Sequence, residues 1–346
     1  MKTKVSHIFL LGAAVLTFFN CSSEQDKKKA HFKEITAFEQ KEKLKSFAES
    51  ITVNDLKTHV YTLADDSLMG RKTGTIEHLK ACQYISDYYT ANNIETFPGL
   101  DNHFQIIEDK YIPNVTTNTQ NVIGYIEGEV HPDEVLVISA HSDHLGSSDA
   151  MIYNGADDNA SGTAAIMEIA QAFKTAEQQG FKPKRSILFL HLTAEELGLH
   201  GSRYFTQNPI LPLKNMVANI NIDMVGRVDS THINNPNYIY VIGADRLSSE
   251  LHVINEVANE TFTNLELDYT YNDEDDPNRY YYRSDHFNFA VRNIPSVFFF
   301  NGTHPDYHQQ TDTADKINYK ALSERSKLIF YTSWYIANSQ KRLSVD

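Results

Sequence analysis

The chain contains little cysteine and little positive charge, and both shortages limit what it can be. Only two of its 346 residues are cysteine, so the sequence shows no disulfide framework of the kind that holds small secreted domains together. Its 31 lysine and arginine residues are outnumbered by 45 aspartate and glutamate residues, which gives a formal net charge of −14. Proteins that bind nucleic acid normally present a basic surface, and this balance therefore argues against that class.

The N-terminal apolar run is also short. It covers residues 8–19, fewer than the roughly 20 residues that a membrane-spanning helix needs. It follows Lys2 and Lys4 and directly precedes Cys21 and a polar stretch, an order that resembles a bacterial lipoprotein signal. The resemblance implies cleavage before Cys21 and acylation of its thiol, with anchoring in the outer membrane, facing the periplasm or the cell surface. Phe18-Phe19-Asn20 departs from the usual residues before such a cysteine, and an ordinary secretory signal is the alternative.

Composition divides the chain into three parts. Residues 1–20 are predicted to be the signal peptide. Residues 21–50 are rich in lysine, glutamate and glutamine and poor in large apolar groups, which predicts a tether that passes into an exposed helix. Residues 51–346 are predicted to form a single folded domain, since the chain is 41% hydrophobic and shows no internal repeat.

Short apolar runs alternate with helical periodicity through the predicted domain. Strands are predicted over residues 121–127, 134–140, 187–192, 216–222, 238–242 and 296–300, and helices over 162–174, 251–262 and 320–337. This alternation predicts a three-layer α/β/α sandwich around a mixed, mostly parallel sheet. Ligands of such sheets gather beyond the carboxyl ends of the strands, and several acidic and histidine side chains lie at or just after those predicted ends: His141, Glu195, Glu196 and Asp223.

Five short segments carry the residue types that a metal-dependent hydrolase needs. Zinc binds imidazole nitrogen and carboxylate oxygen, and a catalytic site leaves one position for water. No segment is decisive alone, but their joint occurrence in this order indicates a two-metal site. The segments are His141-Ser142-Asp143-His144, residues 155–162, Thr193-Ala194-Glu195-Glu196, Asn221-Ile222-Asp223-Met224 and Tyr307-His308.

Each segment also has an ordinary structural interpretation. Residues 155–162 could supply a carboxylate that bridges two cations, or could simply cap the helix that follows. Asp223 could bind metal or form a salt bridge with Arg227. In the His304-x-x-x-His308 spacing one histidine could be a ligand and the other a loop residue. Four further histidines have no supporting pattern and are predicted to be structural: His144, His191, His200 and His286.

With these residues together, the chain resembles the M28 family of zinc aminopeptidases, from about Asp66-Ser67-Leu68-Met69-Gly70-Arg71 to Thr311-Asp312-Thr313. The resemblance implies two zinc ions (Zn²⁺) per chain. Asp158 would bridge both ions, His141 and Asp223 would complete one site, and Glu196 and His308 would complete the other. It also implies peptide substrates with a free N-terminal amine.

The same resemblance implies roles for residues around the ligands. Glu195 would be the general base that deprotonates the water between the ions, and Asp143 would support His141. Arg283 and Tyr307 match positions that help to hold the tetrahedral oxyanion. The peptide bond between Asp158 and the next residue would be cis.

Three alternatives stay open on the sequence. A glutaminyl-cyclase-like transferase uses a related fold with one zinc, and a non-catalytic binding module can keep the fold without metals. A carboxypeptidase or deacylase of a neighbouring family is the third. The acidic run at residues 272–276 is predicted to be a solvated loop, with calcium binding or a specificity pocket as alternatives.

Overall fold

The computed structural model of the chain describes residues 24–148 and 151–346. The predicted signal peptide and Cys21 lie outside these ranges. Among the helices in the described ranges, none combines the length and the apolar character needed to cross a lipid bilayer.

An eight-stranded sheet forms the centre of the fold. Its strands are β1 (Phe104–Ile107), β2 (Thr119–Ile126), β3 (His131–His141), β6 (Arg185–Leu192), β7 (Met216–Ile222), β8 (Tyr238–Ile242), β9 (Glu266–Asp268) and β10 (Ser296–Phe300), and the hairpin β4 (Gly146–Ser148) and β5 (Met151–Tyr153) is separate. The order across the sheet is β1-β2-β6-β3-β7-β10-β8-β9. Strands β6, β3, β7 and β10 are mutually parallel, while β1, β2 and β8 are antiparallel to their inner neighbours. The predicted mixed, mostly parallel sheet is therefore confirmed.

Helices cover both faces of this sheet, as predicted. They are α1 (Glu24–Ile35), α2 (Lys41–Ala48), α3 (Val53–Leu63), α4 (Ile76–Ala91), α5 (Gly162–Gln178), α6 (His200–Gln207), α7 (Ser249–Phe262), α8 (His286–Ala290) and α9 (Tyr319–Asn338). The larger apolar core joins one face of the sheet to α3, α4, α5, α7 and α9. A smaller core joins the other face to α6 and α8.

The central strands are apolar on both faces, which explains their continuous apolar sequence. In β3, Leu136 and Ile138 lie in the larger core, whereas Val135 and Val137 lie in the smaller one. Side chains alternate between the faces of a strand, so a strand covered on both sides is mostly apolar, and the polar residues inside β3 and β7 bond to one another, as Ser139 does with Asn219 and Asn221. The acidic side chains of the predicted site follow where β6 and β7 end, and His141 is the last residue of β3.

Helix α2 is more buried than the exposed segment that the composition predicts for residues 21–50. Leu44, Phe47 and Ala48 of α2 are buried in the larger core, and the ring of Phe47 lies 5.4 Å from that of Phe181 and 5.6 Å from that of Trp334. The spacing i, i+3, i+4 gives α2 one apolar face, although the segment as a whole is polar. Packed structure therefore begins before Ile51.

Candidate metal centre

The carboxyl ends of the parallel strands bring the predicted site residues to one edge of the sheet. His141 is the last residue of β3, and Asp223 directly follows β7. Glu195 and Glu196 lie in the turn after β6, and His308 lies in the loop after β10. These elements are far apart in sequence, and the parallel topology brings their side chains together.

Asp158 lies between two groups of imidazoles. Its Oδ1 is 3.2 Å from Nε2 of His141, and its Oδ2 is 3.0 Å from Nε2 of His308. Asp312 stabilises the loop that carries Asp158, because its Oδ2 accepts hydrogen bonds from the backbone N–H groups of Asp157 and Asp158 at 3.0 and 3.2 Å. The peptide bond between Asp158 and Asn159 is cis, as the resemblance implied.

His141, Glu195 and Asp223 form the first cluster of donor atoms, which all lie within 4.8 Å of one another. Nε2 of His141 is 3.3 Å from Oδ1 of Asp223, and Ser284 donates its hydroxyl to Oδ2 of Asp223 at 2.6 Å. Arg227, the alternative partner for Asp223, donates instead to Asp306 at 2.7 Å. The Asp223 carboxylate therefore keeps one oxygen directed at the cluster.

His144, Asp158 and Glu196 form the second cluster, with the same spacing. Nδ1 of His144 is 2.7 Å from Oε1 of Glu196, and Nε2 of His308 is 3.3 Å from Oε2 of Glu196. The prediction that His144 is merely structural did not anticipate this contact. The only sequence signal was its position directly after Asp143.

The donor set fits zinc, which binds imidazole nitrogen and carboxylate oxygen. Asp158 of the second cluster also contacts His141 of the first. The carboxylates of the two clusters therefore lie close together, and their mutual repulsion costs free energy unless cations compensate it. The His144 nitrogen that faces the second cluster is Nδ1, which lies 2.7 Å from Glu196 and 3.8 Å from Asp158. Within residues 24–148 and 151–346, only these two groups have the spacing to hold a metal ion.

The acidic run at residues 272–276 does not form such a group. Asp276 is buried and accepts the backbone N–H groups of Asn278 and Tyr280, while residues 273–275 are exposed. Residues 273–275 therefore agree with the predicted solvated loop, whereas Asp276 does not, because it is buried.

Comparison with known proteins identifies the family. The model of peptidase family M28 matches residues 121–333, which include every residue of both clusters. The chain belongs to peptidase family M28. A solved structure of the LapA aminopeptidase of Legionella pneumophila superposes with a TM-score of 0.68 at 17% identity, over 99% of this chain and 81% of that one. A zinc aminopeptidase from Bacillus subtilis gives 0.64 at 17%, over 85% and 98%.

A curated relative with higher identity is much longer than this M28 chain. A probable glutamate carboxypeptidase of Arabidopsis thaliana is 38% identical over 110 residues, 32% of this chain. The chain spans only 15% of that relative's length.

The carboxyl groups of Glu195 and Asp158 in the M28 site have pKa values shifted in opposite directions. Removal from bulk water raises the pKa of Glu195 well above its ordinary value; His141 opposes this shift, and the carboxylates of Glu196 and Asp223 add to it. Burial would also raise the pKa of Asp158, but hydrogen bonds from His141 and His308 hold it well below its ordinary range. Without a cation, imidazolium groups thus balance the acidic groups of the centre.

Asp143 joins two loops of the site. Its backbone oxygen is 3.1 Å from Nδ1 of His141, closer than its carboxylate, which is 3.8 Å away. The carboxylate instead accepts the hydroxyl of Thr73 at 2.8 Å and the backbone N–H of Glu195 at 3.2 Å. Burial raises the pKa of Asp143 to about 6. Asp143 therefore supports His141 mainly through its main chain.

A small recess opens beside the clusters. It has a volume of about 30 Å³ and is walled on its apolar side by Met224, Tyr280, Phe298 and Phe300. Arg283 and Tyr307, which also line it, lie with Nη2 and Oη 3.4 Å apart. The Arg283 side chain is exposed, and its guanidinium carbon lies 4.9 Å from the centre of the Tyr280 ring.

Proposed function

We propose that this protein is a di-zinc aminopeptidase that hydrolyses the N-terminal peptide bond of peptides. The observation that carries the proposal is the Asp158 carboxylate, whose two oxygens face His141 on one side and His308 on the other. A carboxylate in this position suits two neighbouring cations better than one. A single-zinc cyclase would have no use for the second cluster.

The ligand sets follow from these contacts. His141, Asp158 and Asp223 would hold one zinc ion, and Asp158, Glu196 and His308 would hold the other. When bound, a pair of zinc ions supplies a Lewis acid for the scissile carbonyl and lowers the pKa of water. The proposal is supported by the donor types and by the close spacing of the donor atoms in the two clusters.

Glu195 is the proton carrier in this proposal. Its raised pKa suits a group that must both accept and release a proton near neutral pH. It takes a proton from the attacking water and passes it to the amine of the leaving peptide. Arg283 and Tyr307 donate hydrogen bonds to the carbonyl oxygen as that oxygen gains negative charge.

The acidic centre favours action at the amino end of a substrate. A free N-terminal ammonium group would lie against the carboxylates of Asp158, Glu195 and Asp223, which line the recess. The second candidate is action at the carboxyl end. It is favoured by the exposed guanidinium of Arg283, since arginine binds carboxylates in a two-pronged geometry.

The test uses purified protein and two kinds of substrate: aminoacyl-p-nitroanilides, and N-acetylated dipeptides with a free carboxyl end. We expect zinc-dependent turnover of the first kind, loss of activity on chelation, and a fall in kcat of about 10²–10⁴-fold in Glu195→Gln with zinc content unchanged. The adjacent Glu196→Gln is the matched control and should instead lose zinc. Two bound zinc ions with no turnover of any free-amine substrate would contradict the proposal.

Attachment to the outer membrane through Cys21 belongs to the same proposal. It is supported by the order of basic, apolar and polar residues before and after Cys21. Either signal type exports the protein, and peptides outside the cytoplasm would then be its substrates.

A further inference from the structure

Arg71 is a charged residue buried outside the ligand set. Its side chain is 1% exposed, and it is among the largest fully buried side chains of the described residues. Its guanidinium donates to four backbone carbonyls: those of Ser142 at 3.1 Å, Asn154 at 2.7 Å and Gly155 at 3.0 Å, and that of Leu63. No carboxylate takes part in these bonds.

Those carbonyls belong to the two loops that carry the proposed metal ligands. Ser142 follows His141 directly, and Gly155 begins the loop that leads to Asp158. The main chain adds a further link, because the N–H of His144 donates to the carbonyl of Arg71 at 3.2 Å. One residue thus bonds to both loops, and Leu63 connects it to the end of α3.

We propose that Arg71 is a positioning residue that fixes the separation of the His141–His144 loop and the Gly155–Asp158 loop. The inference rests on the proposed two-zinc function. The guanidinium is a planar fork with five N–H donors, so it can bond to several carbonyls at once in a fixed geometry. A lysine at this position would keep the charge but could not hold three segments together.

The charge of Arg71 matters as well as its shape. The carboxylates of Asp143, Asp158 and Glu196 act on it favourably. Burial lowers the pKa of Arg71 only to about 10, so it stays positive at neutral pH. It therefore offsets part of the carboxylate repulsion before any cation binds, and allows both loops to form in the metal-free protein.

Arg185 provides a matched control. It is also 1% exposed and donates to the carbonyls of Ile336 and Ser339 at 3.1 and 2.7 Å, with an ion pair to Glu134 at 2.6 Å. It lies at the start of β6, at the opposite end of that strand from Glu195. A buried arginine with a purely structural role is expected to behave like Arg185.

The experiment measures zinc binding in the full protein, in Arg71→Lys and in Arg185→Lys by competition with a chelator of known affinity. The zinc content of the wild type is measured first, and fewer than two ions would overturn the proposed function together with this inference. With two ions bound, we expect Arg71→Lys to bind zinc about 10- to 100-fold more weakly, the usual effect of losing a residue that orients metal ligands. Arg185→Lys should lose about as much thermal stability as Arg71→Lys. Its zinc affinity should stay within about threefold of the wild type, a smaller change than the loss expected for Arg71→Lys.

Two results would overturn the inference: wild-type zinc affinity in Arg71→Lys, or an equal loss of affinity in both variants. If Arg71→Lys does not fold, hydrogen exchange in the metal-free wild type decides instead. The amide of His144 should then exchange within about tenfold of its rate in the zinc-loaded protein, because its hydrogen bond to the carbonyl of Arg71 would persist without zinc and keep local opening rare. Free exchange of this amide after zinc removal would show that Arg71 does not hold the loop.

Discussion

Glu195 and Glu196 are neighbours in sequence, but their surroundings give them opposite acid–base properties. Glu196 accepts hydrogen bonds from His144 and His308, which lower its pKa against the effect of burial. For Glu195, burial raises the pKa, and no hydrogen bond from a histidine offsets this effect. One carboxylate is therefore suited to bind a cation and the other to carry a proton.

Asp285 is a further buried acid beside the centre, and it leads to a prediction about pH. Burial raises its pKa to about 7, although His141 opposes the shift, and its Oδ2 has no hydrogen-bond partner. The folded protein therefore holds this proton between about pH 4 and 7, where the unfolded chain releases it. Its contribution to the free energy of unfolding falls as pH rises through that window, by at most about 1.4 kcal/mol per pH unit.

Asp285→Asn lacks this titration. In metal-free protein, the variant should therefore gain stability relative to the wild type as pH rises from about 4.5 to 7.5, in the window set by the raised pKa. Urea unfolding at both pH values measures this difference. The exposed Asp101→Asn serves as the control. A difference between variant and wild type that does not change with pH would contradict the prediction.

The sequence predicted the ligand candidates but not the residues that hold them in place. His141, Glu195, Glu196 and Asp223 could be predicted because strand ends are visible as the limits of apolar runs. Three of the four backbone carbonyls that Arg71 contacts lie 71 to 84 residues away, and no local pattern encodes such bonds. The contact between His144 and Glu196 could not be predicted for a similar reason, since it depends on the turn after β6.

Strand β10 has the larger core on one face and the recess on the other, because its side chains alternate between the faces. Val297 and Phe299 lie in the larger core, whereas Phe298 and Phe300 face the recess. The wall of β10 thus leaves little room for the side chain of a substrate's first residue.

We therefore expect alanyl substrates to be cleaved with higher kcat/KM than leucyl substrates. Phe300→Ala should raise the leucyl-to-alanyl ratio of kcat/KM by about tenfold or more, because each methylene accommodated in such a pocket is worth about 10- to 200-fold. The p-nitroanilides of both amino acids measure this ratio.

Phe299→Ala is the matched control from the opposite face of β10. Both substitutions remove a buried phenyl group, at a cost of about 3–5 kcal/mol of stability, but only Phe300→Ala enlarges the recess. A wild-type preference for leucyl substrates, or the same change of ratio in both variants, would contradict the prediction.

Element prediction succeeded where burial is two-sided and failed at the edges. Strands β7, β8 and β10 begin and end at the predicted residues, since their apolar runs are bounded by polar residues or turns. Strands β1, β4, β5 and β9 have three or four residues each, too few to establish a period. The burial of helix α2 was not predicted, because its three buried side chains lie among many charged neighbours.

For the whole molecule, the proposed anchor at Cys21 can be tested directly. Expressed with its native N-terminus in a bacterium that processes lipoproteins, the wild type should partition into the detergent phase, because an acyl chain contributes about 0.8 kcal/mol per buried methylene. Cys21→Ser should move to the aqueous phase. Cys82, the buried second cysteine, provides the control: Cys82→Ala should stay with the wild type. An aqueous wild type would contradict the anchor.

Helix α1 would determine how far such an anchor lets the enzyme move. Lys29 pairs with Asp245 at 2.9 Å and Lys33 with Glu260 at 2.6 Å, while Phe32 packs against the larger core. Only three residue steps separate Cys21 from Glu24, a reach of about 11 Å, whereas a fully extended tether to residue 50 would reach about 100 Å. An enzyme held this closely would sample a thin layer above the lipid and would depend on peptides that diffuse to the surface.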